Sequence, residues 1–250
     1  MKRHDENSYD LEMIKEQALA MMKHAGYPVG ADVEVVLDEN LPFMGYTTER
    51  NGSPIIVVSG DALASGAAIN LLVHELSHVY RSLTKHPSHD YQLLTAITSW
   101  VMHGKAVEDY QEKILHAILN HLQDLYADDI SFKIFDEINP DMNLSEFFMS
   151  WIHTPHKSAK TPKKMWENAD ALLSTAFAQA NLERHNVVDK GGKVQKEVKV
   201  FLSQIDKRLA EKFDFFKKFM VLLPEDVKDK EFEKILITYL SEFLKLTRVS

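Results

Sequence analysis

Residues 69–83 constrain the fold of this chain more than any other stretch. Ile69, Leu72, Leu76, Val79 and Leu83 recur at alternating spacings of three and four, which predicts a helix with one apolar stripe. His74 and His78 lie roughly opposite that stripe, about 40° apart on the helix wheel at roughly 100° per residue. The helix must therefore pack by one face and present two imidazoles from the other. Two imidazoles one turn apart can grip one metal ion. Glu75 flanks the same face, about 60° from His78, where a carboxylate can act as a base on water. The run His74-Glu75-Leu76-Ser77-His78 thus has the spacing of a zinc site with a built-in general base.

A catalytic zinc ion takes three protein ligands and leaves one position open. The chain has no cysteine, so the third ligand must come from histidine or a carboxylate. The segment "NHLQDLYADDIS" (120–131) offers one. On a helix, Asn120, His121, Asp124, Asp128 and Ser131 share one face, while Leu115, Ile118, Leu122, Leu125 and Tyr126 take the other. Two acids one turn apart suit a division of labour. Asp124 is assigned as the metal ligand, and Asp128 as the acceptor of the free ring N–H of a ligating histidine. His121 is the rival ligand. Asp129 falls on the apolar side.

The motif "VHELSH", followed by a helix carrying "DLYAD", resembles the zincin metallopeptidases. The likeness is to the gluzincin layout, and within it to the heat-shock and prenyl-protein metalloprotease group, of which this chain would be a soluble relative. It covers about residues 30–135. The resemblance implies His74 and His78 as zinc ligands and Glu75 as general base. It puts Asp124 in the place of the family's glutamate and Asp128 in that of its aspartate. It also implies that "PIIVV" (54–58) is the edge strand that pairs with an extended substrate. Asp for Glu shortens the third ligand by one methylene, so its helix must approach by on the order of 1 Å to keep zinc–oxygen distances near 2 Å.

The expected fold is α+β and mainly α: a small N-terminal sheet packed on the motif helix, then a helical C-terminal region. A helix is expected over 8–25, a strand over 31–39, and a hairpin over 43–60 turning at Asn51-Gly52. Ser65 is a plausible cap for the motif helix. Further helices are expected over about 91–103, 107–135, 144–153, 163–184, 195–222 and 228–246, with "INPDMN" stopping the second. Val198, Phe201, Ile205, Leu209, Phe213 and Phe216 form a stripe on the helix over 195–222, and "FDFFKKFM" (213–220) reads as core. A Lys/Pro-rich stretch near 155–163 suggests a division into residues 1–155 and 156–250.

A net charge of −8 in 250 residues argues against a nucleic-acid partner, and the basic run "HKSAKTPKK" (156–164) reads as a solvated loop. No apolar run approaches the ~18 residues that cross a bilayer, and the N-terminus lacks a secretory apolar region. The expected setting is cytoplasmic, and the expected partner is a peptide or protein substrate. Peptide hydrolysis needs a donor for the developing oxyanion. His153 and His156, in "WIHTPHK", are favoured over Tyr126, which points away from Asp124. The alternative function is a zinc-binding, non-proteolytic interaction module. The oligomeric state is not legible.

Overall fold

The computed structural model describes residues 2–30, 32–104, 106–138, 144–157 and 160–248. Most of the "INPDMN" stop, and Ser158 and Ala159 of the basic run, lie outside them. The fold is α+β and mainly α, with a three-stranded sheet near the N-terminus followed by helices. Two compact units interleave along the chain instead of meeting at one cut near 155. Residues 1–86 with 126–140 form the first, and 87–125 with 141–250 the second.

In the first unit, helix α1 (Lys2–His24) leads into strand β1 (Glu34–Asp38), strand β2 (Gly45–Arg50) and strand β3 (Ser53–Ser59). The hairpin turns where expected. Asn51 and Gly52 both take positive φ, 54° and 82°, the two-residue turn whose twist matches that of paired strands. Arg50 faces Ser53 across it. The strand order is β1-β3-β2, with β1 parallel and β2 antiparallel to β3. This corrects one expectation. "PIIVV" belongs to the central strand β3, where Ile55 to Val58 are all buried, and the antiparallel edge strand is β2. A continuous apolar run marks a strand covered on both faces, not an edge.

Gly45 opens β2 because nothing larger fits. A Cβ there would lie 2.5 Å from the Val57 carbonyl oxygen and 2.8 Å from Leu71 Cδ2. Ser59 ends β3 and caps the short helix α2 (Gly60–Ala64), accepting from the Ala62 N–H at 3.0 Å. Ser65 sits at the C-terminal end of α2 and does not start the motif helix, which is α3 (Ala68–Leu83). Leu72, Leu76 and Val79 of its stripe are buried, whereas Leu83 is half exposed. The helix α3 packs on α1 and on β2 and β3.

The second unit contains α4 (Tyr91–Val101), and the helix α5 (Asp109–Ile138) passes from it into the first unit without a break. Then follow α6 (Leu144–Phe148), α7 (Pro162–Arg184), α8 (Lys193–Gln204), α9 (Lys207–Ala210), α10 (Phe213–Val221) and α11 (Asp229–Leu246). The helix expected over 144–153 is a single short helix and a 3₁₀ turn. The expected helix over 195–222 is broken into α8, α9 and α10. Ile205 is extended, and the Asp206 carboxylate accepts from the Arg208 N–H at 2.9 Å to start α9. An aspartate that bonds its own following backbone competes with the helical ladder. The stripe itself survives the breaks: Val198, Phe201, Ile205, Leu209, Phe213 and Phe216 are all buried. Alanine-rich α7 buries most of its residues from Trp166 to Leu182. Arg184 at its end donates to the carbonyls of Met220, Val221 and Leu223, at and just beyond the C-terminus of α10.

Candidate metal centre

Both histidines of α3 are half-buried. Their Nε2 atoms face each other at 3.1 Å. Two nitrogens bound at 2.0–2.1 Å to one tetrahedral zinc stand roughly 3.3–3.4 Å apart, so the pair is already spaced as two ligands of one ion. The other ring nitrogen of His74, Nδ1, is 2.9 Å from Asp128 Oδ1, and Asp128 is buried. A carboxylate at Nδ1 places the proton there and leaves Nε2 as a lone-pair donor. Ser131, one turn further along α5, donates to the same Asp128 oxygen at 3.3 Å.

Asp124 precedes Asp128 by one turn of the same uninterrupted helix, so α5 itself sets its position relative to Asp128. Each of His74, His78 and Asp124 offers one ligand atom within 4.8 Å of the other two. Two neutral imidazoles and one carboxylate are the donor set of a three-ligand zinc site.

Glu75 is buried, at 6% exposure, on the side of α3 that meets β2. Its Oε2 accepts a hydrogen bond from the Thr47 hydroxyl at 2.7 Å, and the same hydroxyl lies 3.4 Å from the Glu75 carbonyl oxygen. Thr47 was not among the residues singled out in the sequence. It lies 28 positions away on β2, and no local spacing links the two. The alternation of β2, in which Gly45 and Thr47 are less exposed than Tyr46 and Thr48, was the only available hint.

The remaining candidates have other surroundings. His121 is 2% exposed, stacked on Phe177 and edge-on to Trp151, with Nε2 at 3.1 Å from the Ser174 hydroxyl. Burial pushes its imidazole down to about 4, against the opposing pull of Asp124. The polar stripe read from the wheel thus includes one histidine that packs into the second unit's core. Tyr126 is fully buried, and its carbonyl accepts from Arg81 Nε at 3.0 Å. Asp129 is buried too. His156 is tied into the second unit: its ring is 3.0 Å from Glu167, and its backbone exchanges two hydrogen bonds with the Asn168 side chain. His153 is exposed, within electrostatic reach of His121. Among the described residues neither joins the group of ligand atoms. No helix among them is long and apolar enough to cross a membrane.

No curated protein and no solved structure matches the chain. A family model does, over residues 17–245, and it takes in the histidine helix, the sheet and the acidic turn of α5 together. The chain belongs to the family of unknown function DUF5781.

Proposed function

We propose that the protein is a zinc-dependent peptidase whose metal is held by His74, His78 and Asp124. The observation that carries this reading is the convergence of those three ligand atoms, with Asp128 fixing the His74 ring from behind. Bound there, zinc would supply a Lewis acid that polarises a carbonyl and lowers the pKa of water towards about 7.

The chain's own groups supply the rest. Glu75 takes the proton from the attacking water and delivers it to the leaving amine. Thr47 fixes the direction of that carboxylate. The outer edge of β2 leaves backbone groups to pair with an extended peptide, and Thr47 on this strand places the base beside it. A cysteine-free chain suits a reducing compartment, and we place it in the cytoplasm.

The test is metal analysis by mass spectrometry on protein purified without chelator, followed by digestion of a peptide library. Wild type should hold about one zinc per chain, and His78→Ala should hold none; equal zinc in both refutes the site. Glu75→Gln should keep the metal and lose nearly all cleavage, because an amide cannot take the proton. If wild type holds zinc but cleaves nothing, a zinc-binding interaction module is the better reading.

A further inference from the structure

A groove of about 360 Å³ runs between α4 and α5 in the second unit. This is the size of a small-molecule subsite, at the low end of roughly 300–1,000 Å³. Resting on the peptidase reading above, we propose that this groove takes a large uncharged side chain of the substrate, within about two residues of the bond that is cut.

Position comes first. Asn120 and Gln123 line one end of the groove. Asn120 is one helical turn before Asp124, roughly 6 Å along α5 at 1.5 Å per residue. An extended peptide advances about 3.3 Å per residue, so the groove begins within two residues' reach of Asp124. Both Asp124 and the groove belong to the same unit and share α5, so this spacing is set within one helix.

Chemistry decides the class of side chain. Leu115 and Leu119 of α5 give the groove apolar walls, and Thr98 and Ser99 of α4 give it hydroxyls. The Thr98 hydroxyl is buried and has no hydrogen-bond partner among the described residues, an unspent group beside the groove. Among the described residues no lysine or arginine lines it, and His116 lies eight residues, roughly 12 Å, before Asp124 along the helix, so a carboxylate side chain held near the bond would lose its hydration without a counter-charge. Glu112 lines the far end, but it is twelve residues, roughly 18 Å, from Asp124 along the helix. A lysine or arginine near the bond would not reach it. What remains is a long or aromatic neutral side chain, and a polar tip such as that of tyrosine can use Thr98.

The probes are the acetyl methylamides of tyrosine, leucine and glutamate, titrated into the 250-residue protein at millimolar concentration and followed by ligand-observed NMR. Tyrosine and leucine amides should bind, and glutamate amide at least about tenfold more weakly. Ser99→Trp, which fills the groove, should abolish binding while zinc content stays at the wild-type level. Thr98→Val should weaken the tyrosine amide severalfold and leave the leucine amide unchanged. On the peptide library, Ser99→Trp should shift cleavage away from sites near large uncharged residues. Binding that Ser99→Trp does not alter, or glutamate amide binding as well as tyrosine amide, overturns the proposal. Cleavage by wild type with a preference that Ser99→Trp leaves intact overturns the subsite and leaves the peptidase standing. Amide binding by a protein that cuts no peptide removes the peptidase reading, and the groove's substrate role with it.

Discussion

Three oxygen atoms around α3 carry different weights. Asp124 is a direct ligand on our reading, so Asp124→Asn removes the charged donor and should lower zinc affinity by several orders of magnitude. On the same reading Asp128 would act on the metal only through His74, whose Nδ1 is 2.9 Å away. Asp128→Asn should therefore cost about 10–100-fold, the usual effect of losing a partner that orients a ligand. Competition against a fluorescent zinc chelator measures both, and a reversed order would exchange the two roles. Thr47 belongs to neither category. Thr47→Val should leave zinc affinity unchanged and lower kcat about tenfold, the scale of losing one hydrogen bond to a charged group, with little change in KM. Thr47→Ser should restore the rate. A rise in KM alone would show that Thr47 serves only the strand. The sequence exposes the histidines, Glu75 and the acidic pair because each lies within one helical turn of its neighbour. It hides Thr47 because only the pairing of strands brings that residue to Glu75. It likewise hides the burial of His121, whose surroundings, Trp151, Ser174 and Phe177, arrive from later in the chain.

Elements were legible where their own residues decide them. The motif helix, the Asn51-Gly52 turn and the polar face of α5 all follow from local periodicity or turn chemistry. The order of the strands does not, because three short strands can pair in more than one way. Only the unbroken burial of Ile55 to Val58 marks β3 as central. The stripe over 198–216 is helical in spacing yet crosses two breaks, since Asp206 offers the backbone a cap in mid-run. The tightest constraint on an element lies at Gly45, where β2 begins. Gly45→Ala forces a methyl group against the Val57 carbonyl and Leu71. It should destabilise the protein by about 1–3 kcal/mol, as overpacking does. The urea midpoint should fall with an unchanged slope. A midpoint equal to wild type would mean that the strand can shift to make room.

At the scale of the whole molecule, one half-buried acid sets a pH dependence. Asp170 on α7 has an oxygen with no partner among the described residues, and the buried Tyr239 hydroxyl of α11 is in the same condition. Burial, and then the charge of Glu167, pushes Asp170 up to about 6 from an ordinary value of 3.8. The folded protein therefore holds this proton longer than the unfolded chain does. The stability that Asp170 contributes is full below about 3.8 and is lost as pH rises through about 6. Asp170→Asn should remove that loss, raising Tm above pH 6 by about 3–8 °C relative to wild type and converging with it near pH 4. Scanning calorimetry of both proteins across this range is the check, and parallel curves would remove Asp170 from the account.

The passage of α5 through both units also imposes an order on synthesis. The chain leaves the first unit after His86 and returns to it at Tyr126. The ribosome therefore delivers the sheet and both histidines well before the helix that completes them. Asp124 follows His78 by 46 residues, which is roughly 2–9 s at the usual pace of translation. During that interval the nascent chain carries a pair of imidazoles with no acid behind His74. The turn of α5 from Asp124 to Asp128 then completes the cluster, so on the reading proposed above metal capture would be a late event on the growing chain.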